Sequence, residues 1–420
     1  MTSEPVESER GGLGPSGVRG CPPGNTVSPR AGTASADGGA GPGLRASARP
    51  LSETYDTALL DLDGVVYLGG TAIPGAAQAL QKACAAGMAL AYVTNNASRT
   101  PRAICEQLAG LGVPVRPESV ITSAQAAARL LSQRLPRGAP VLVIGGTGLR
   151  MAVRERGLRP VTTAAERPAA VVQGYARDIS YPLLAEGALA VDAGALFVAS
   201  NADATLPSTR GRQPGNGALI QVVRTATGHE PIVAGKPEPP MHSEALIRTG
   251  ARRPLIVGDR LDTDIEGANN VGADSLLVLT GVTTPVDLVL APPRRRPSYV
   301  AADLTGLLEP HPMVRGGPRQ PFRCNGWEAR PTLPARGGTV PPGDTPDPDG
   351  PDPPAAYPLP HDRPTPSGVR ASVGGDDAYI ELTGSGDRVD ALRVICAAAW
   401  SQEAVTRAMV AGALRAANLG

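Results

Sequence analysis

Asp61 and Asp63 stand two residues apart where the apolar run of "DTALLDLDGVVYLGG" (residues 56–70) ends. Side chains at i and i+2 of a strand point to the same side, and like charges held close are costly unless a cation, a donor or a catalytic task keeps them there. One such carboxylate can act as nucleophile and the other as general acid and base, with Mg²⁺ bridging a carboxylate and the reacting oxygen. An Asx-type turn closing a strand would use the same residues. Three further blocks also place polar residues just after an apolar strand, where open α/β sheets build their sites: "YVTNNASRT" (92–100), "VAGKPEP" (233–239) and "LIVGDRLDTDIEGANNVG" (255–272).

In the second block, the Thr94 hydroxyl and the neighbouring N–H groups at Asn95 and Asn96 can cradle phosphate oxygens. A helix cap would select the same residue types. Six of the nine asparagines fall at 95, 96, 201, 216, 269 and 270, all in strand-end or loop blocks. Lys82 and Lys236 are the only lysines among 40 basic side chains. A compact ammonium retained in a chain that otherwise uses Arg suits a tight contact with a single oxygen. At Lys236 it would meet charge developing on a phosphoryl group or an aspartyl phosphate, whereas a loop lysine in water is the plainer alternative. Asp259 follows the apolar run at 254–257 and Gly258, which places it at a sheet's carboxyl edge, ready to complete an oxygen shell for Mg²⁺. Asp264 starts the next helix, where it can cap N–H groups or support the metal shell, and Asp262 reads as solvated.

The elements that must position these residues alternate between strand and helix from residue 52 to 308, which predicts an α/β fold with a parallel sheet. Pro74 and Pro101 suit first helical turns, and Gly87 suits a helix end. The 51 Gly and 44 Pro concentrate toward the ends of the chain. Residues 1–50 lack the apolar periodicity that would offset ordering entropy, and a Pro/Asp-rich stretch within 311–370 reads as a linker. A strand and amphipathic helices resume after it. A net charge of +1 argues against a nucleic-acid role. No secretory leader or membrane-length apolar run is found, so the expected location is cytoplasmic, away from membranes. Five scattered cysteines and four dispersed histidines suggest neither a disulfide framework nor a zinc site.

In order and spacing the four blocks resemble the haloacid dehalogenase (HAD) superfamily of phosphatases over roughly residues 54–308. "DLDGVVYLGG", "TNNASRT", "VITSAQAAA", "SNADATLPSTRGRQPGNGAL", "GKPEPPM" and "GDRLDTDIEGANNVG" resemble its NagD-like, C2-capped branch, subfamily IIA, of the actinobacterial type with a C-terminal extension. The resemblance implies a Rossmann-like parallel-sheet core with helices on both faces, an inserted α/β cap and a small C-terminal extension. The corresponding division is a disordered tail at 1–51, core at 52–137, cap at 138–228, core at 229–308, a Pro/Gly/Asp-rich linker at 309–372 and an α+β extension at 373–420.

It also implies a Mg²⁺-dependent phosphatase of small phosphate monoesters that works through an aspartyl phosphate, with glycerol 3-phosphate the first substrate expectation and phosphoglycolate the second. In that scheme Asp61 is the nucleophile and Asp63 the acid/base, whose main-chain carbonyl helps hold the metal. Thr94, Asn95 and Asn96 bind the phosphoryl group, Lys236 balances charge, and Asp61 and Asp259 ligate Mg²⁺ while Asp264 orients the metal's water from behind the direct ligands. The cap becomes a lid from which Asn201, Asp203 and Arg210 contact the leaving group. The partner is a small phosphorylated metabolite, and a homodimer is compatible with the branch. Two alternatives remain: a phosphoacceptor signalling module, which would lack Asp63 and the inserted lid, and a catalytically idle binding protein of the same fold.

Overall fold

The computed structural model describes residues 44–206, 211–332 and 379–419. The expected disorder of residues 1–43 and the linker residues 333–372 fall outside these ranges, as does Arg210.

The body is built on a six-stranded parallel sheet. Its order is Tyr299–Ala301, Asp274–Val278, Pro254–Gly258, Thr57–Leu60, Ala89–Thr94 and Val120–Thr122. A parallel sheet must be covered on both faces, and the central strand shows why "TALL" suits that position, since all four of its residues are buried. Ala58 and Leu60 pack toward the helix Ala76–Ala85, while Leu59 points to the opposite face against Ala124, Ala127 and Met241. The chain continues from Thr57–Leu60 to a strand on one side and later returns to a strand on the other. That is a topological switch point, and it opens a crevice at the carboxyl ends of these strands.

A second parallel sheet is inserted, ordered Ile232–Val233, Leu196–Ala199, Ala170–Gln173, Pro140–Ile144 and Arg159–Val161. The chain therefore leaves this sheet after Val233, later than the 228/229 division read from sequence. Its inner face, Val141, Val143, Val172 and Val198, shares one apolar cluster with Leu59, Val93 and Ile256 of the first sheet, and the helix Ser123–Ser132 contributes to the same cluster. Two half-buried arginines on one buried carboxylate reinforce the contact. Glu244, fully buried on the helix Pro239–Thr249, accepts from Arg156 Nη2 at 2.6 Å and from Arg129 Nη1 at 3.3 Å.

Residues 44–51, expected in the tail, are fixed instead: Arg45 pairs with Asp274 at 2.6 Å, Ser47 N donates to His311 O, and Leu51 is wholly buried. The start of the expected linker is likewise structured. Arg315–Gly317, Gln320–Cys324 and Trp327–Thr332 join Tyr379–Gly384 in a four-stranded antiparallel sheet. Pro, Gly and Arg mask the pattern in the sequence, yet Phe322 and Cys324 alternate with Arg323, and Trp327 and Ala329 alternate with Glu328 and Arg330, inward against outward. The helix Arg388–Trp400 is buried on nearly every side. It packs in one cluster with Phe322, Trp327 and Leu382 of that sheet and with Leu277 and Val300 of the first. A helix apolar all round belongs inside a protein, so this extension is the covering layer of the first sheet.

Leu392→Ala is expected to cost about 2–5 kcal/mol and to lower the denaturation midpoint of the whole body in one transition. A separate early transition in calorimetry would show that the extension is an independent unit.

Candidate active site

Asp61, Thr94 and Asp259 stand at the carboxyl ends of three adjacent strands of the first sheet, at the switch point. Lys236 reaches them from the segment that leaves the second sheet. Its Nζ donates to Asp61 Oδ1 at 2.7 Å, to Asp264 Oδ1 at 2.6 Å and to Val93 O at 3.3 Å. Burial by itself would lower the pKa of this lysine, but Asp264 and Asp61 outweigh burial and hold it above its ordinary value. Asp61 moves up to about 6: burial raises it, Lys236 opposes the rise, and Asp264 adds to it.

Carboxylate oxygens of Asp61, Asp259 and Asp264 all lie within 4.8 Å of one another. Asp259 is buried and pushed well above the carboxylate range, first by burial and then by Asp264 and Asp61. Its Oδ2 accepts from Val282 N at 2.7 Å, and its Oδ1 is buried with no partner among the described residues. Leaving a buried carboxylate oxygen unpaired is costly, and a hard dication with oxygen ligands is the group that satisfies it. The donor set therefore fits Mg²⁺. Asp264 differs from Asp259 because both its oxygens are used, one by Lys236 and the other by Arg260 N at 3.1 Å. Glycine makes room for the cluster: a Cβ on Gly64, which turns with φ +82°, or on Gly281 would run into the Asp259 carboxylate.

Asp63 sits at the exposed mouth, and its carboxylate is not part of the three-acid group. Desolvation raises it, with the backbone N–H groups of Gly69 and Gly64 opposing. Asp61 and Asp63 are thus both raised in the chain alone, and a bound dication supplies the difference between them by favouring ionised Asp61.

The remaining expected site residues divide by task. Thr94 is buried, and its hydroxyl accepts from Asn96 N at 3.2 Å. Asn96 Oδ1 accepts from Ser98 N and Oγ at 2.9 Å, so its side chain closes a local turn and does not reach into the crevice. Asn95 Oδ1 accepts from Lys236 N at 2.9 Å, while its Nδ2 donates to Lys236 O at 3.2 Å and to Asp203 Oδ2 at 3.2 Å. Asn95 therefore offers only main-chain groups to an anion. Asn201 is spent similarly, donating to Asn95 O at 2.8 Å and accepting from Asp203 N at 3.2 Å. Asp203 comes to the site beside Asn95 and is raised by burial, against the influence of Arg260 and Asn95. Asp262, read as solvated, forms a two-point pair with Arg260 at 3.1 and 2.7 Å. The sequence marks Asn216 only through its asparagine bias and gives no task to Ser123, which donates to Asn95 O at 2.6 Å. No helix among the described residues is long and apolar enough to cross a membrane.

Comparison with known proteins places relatives beside this geometry. A family model described as haloacid dehalogenase-like hydrolase matches residues 58–159, and a HAD-hydrolase-like model matches 233–307. A D-glycerol 3-phosphate phosphatase of Mycobacterium tuberculosis is 46% identical over 280 residues, 67% of this chain and 77% of that protein. An acid sugar phosphatase of Staphylococcus aureus is 41% identical over 236 residues, 56% of this chain and 90% of that one. Among solved structures, the magnesium complex of a Mycobacterium tuberculosis glycerol phosphate phosphatase superposes with a TM-score of 0.69 at 36% identity, covering 89% of this chain and all of that one. A p-nitrophenyl phosphatase from Archaeoglobus fulgidus gives 0.57 at 31% identity, covering 60% and 98%.

Gly281→Ala is expected to weaken Mg²⁺ binding by roughly 10–100-fold, because it displaces Asp259 without removing a carboxylate. Calorimetric titration with Mg²⁺ would read this, and wild-type affinity in a folded variant would contradict the role given to Asp259.

Proposed function

The chain belongs to the haloacid dehalogenase-like hydrolases, and from that premise we propose that it hydrolyses a small phosphate monoester, glycerol 3-phosphate first among them, with Mg²⁺ as cofactor. The observation that carries the reading is the placement of Lys236 Nζ within hydrogen-bond reach of Asp61 and Asp264, beside a buried Asp259 with an unpartnered oxygen. The glycerol phosphate and sugar phosphatase relatives support the substrate class.

Asp61, Asp259 and the main-chain carbonyl of Asp63 are the proposed metal ligands, with Asp264 in support. Mg²⁺ supplies positive charge that keeps Asp61 ionised and offsets charge developing on the phosphoryl oxygens. Asp61 attacks phosphorus in line; as that P–O bond forms, the bond to the alcohol oxygen breaks. Asp63, protonated at the mouth, gives its proton to the departing alcohol and then takes one from the water that attacks phosphorus. The second attack releases phosphate and restores the Asp61 carboxylate. Thr94 and the main-chain N–H of Asn95 hold the non-bridging oxygens, and Lys236 meets the charge that grows between nucleophile and phosphorus. Asp203, at the cap side of the site, is placed to accept from a hydroxyl of the leaving alcohol. An acid/base at position 63 and a sheet built over the crevice favour turnover over storage of a phosphoryl group, as a signalling module would require.

Asp61→Asn is expected to abolish phosphate release from glycerol 3-phosphate and p-nitrophenyl phosphate while circular dichroism stays unchanged; undiminished turnover in that variant would sink the assignment. Asp63→Asn is expected to lower kcat by about 10²–10⁴-fold. The loss should be smaller with p-nitrophenyl phosphate, whose leaving group needs less protonation, and equal losses on both substrates would remove Asp63 from the acid role.

A further inference from the structure

We propose that Asn216, on the inserted domain's helix Asn216–Thr227, is a positioning residue for Lys236, acting through Asn201 and Asn95; this rests on the phosphatase reading above. Asn216 is wholly buried, and its Nδ2 donates to Asn201 O at 2.7 Å. Asn201 Nδ2 donates to Asn95 O at 2.8 Å. Asn95 then grips Lys236 by both main-chain groups, accepting from N at 2.9 Å and donating to O at 3.2 Å. Three amides thus run from a helix of the inserted domain to the backbone that launches the buried ammonium.

The relay is built tightly. A Cβ on Gly235 would meet Asn95 Oδ1 at 2.7 Å, and one on Gly217 would run into Ala202 O, so the three segments lie too close for any residue larger than glycine at either point. Asn216 Nδ2 also lies 3.4 Å from Gln173 O, and the other two amides make further bonds. Asn201 satisfies its own Oδ1 with Asp203 N, and Asn95 spends its second Nδ2 contact on Asp203. Displacing Asn216 lets the Asn201 main chain move, which loosens one of the two donors on the Asn95 carbonyl, the other being Ser123 Oγ at 2.6 Å, and with it the setting of the amide that orients Lys236. Misplacement of the ammonium weakens an interaction that strengthens as charge develops on the phosphoryl group, so the loss falls on kcat more than on KM. The asparagine bias of the sequence gains a physical reason here, since three of the six grouped asparagines form this relay.

The test uses the full chain with Mg²⁺ and glycerol 3-phosphate. Asn216→Ala and the shape-conserving Asn216→Leu are expected to lower kcat by about tenfold or more, with KM within about threefold of wild type. In the double variant with Asn201→Ala, the loss should be no greater than that of Asn201→Ala alone, because a relay broken once is not broken again; a purely structural role would give multiplying losses. Asn269→Ala, which removes a surface amide bonded to Arg294 O and Arg296 O, should leave kcat unchanged. Wild-type kcat in either folded Asn216 variant, or failure of both to fold, overturns the proposal. Absence of turnover in the wild-type chain overturns the phosphatase reading and the relay with it, whereas turnover that is insensitive to Asn216 overturns the relay alone.

Discussion

One buried ammonium among three carboxylates is the constraint on which this structure turns. An exposed ion pair contributes about 0–1 kcal/mol, but removing one partner from a buried pair costs about 3–5 kcal/mol, and Lys236 is 4% exposed with two such partners. Its position is therefore fixed by energy as well as by tether. The cluster still holds more negative than positive charge, which is why burial and mutual repulsion raise both Asp61 and Asp259. A dication at the unpartnered Asp259 Oδ1 would resolve that imbalance.

Strand order delivers the carboxylates to this point, and the inserted domain delivers the lysine's backbone. The domain's sheet shares a core with the helix Ser123–Ser132, and Glu244 is buried between Arg129 and Arg156 across the contact. The loop carrying Asn201 and Asp203 meets Asn95 directly. The inserted domain forms a wall of the site and bonds to its catalytic loop.

Much of this is legible in the sequence. Asp61, Asp63 and Asp259 stood out because each follows an apolar strand, and Lys236 because the chain otherwise uses arginine. The sequence could not say that Asp264 would pair directly with Lys236, since that contact joins elements 28 residues apart through the fold. Nor could it separate the tasks of Asn95 and Asn96. Both are plausible caps and both are plausible phosphate ligands, and only the approach of the 235–237 segment turns one amide toward Lys236 while the other closes its own turn. The strands within 315–332 are hidden because Pro and Gly dominate the local signal, although Phe322, Cys324, Trp327 and Ala329 all point inward. Arg393 and Trp400 were equally illegible: each bonds to a main-chain carbonyl of a distant segment, Val300 O at 2.8 Å and Val289 O at 3.1 Å.

The buried helix Arg388–Trp400 has a consequence for how the protein is made. The face of the catalytic sheet at Leu277 and Val300 is covered by side chains that leave the ribosome only after every strand of that sheet has been synthesised. Until then Leu277 and Val300 are apolar surface without their covering layer, in a parallel sheet whose long-range pairings already make folding slow. Translation of the segment that carries this helix is thus a timed step in biogenesis, and a ribosome that stalls after Thr332 would hold a nascent chain with the strands of that sheet complete and this face uncovered.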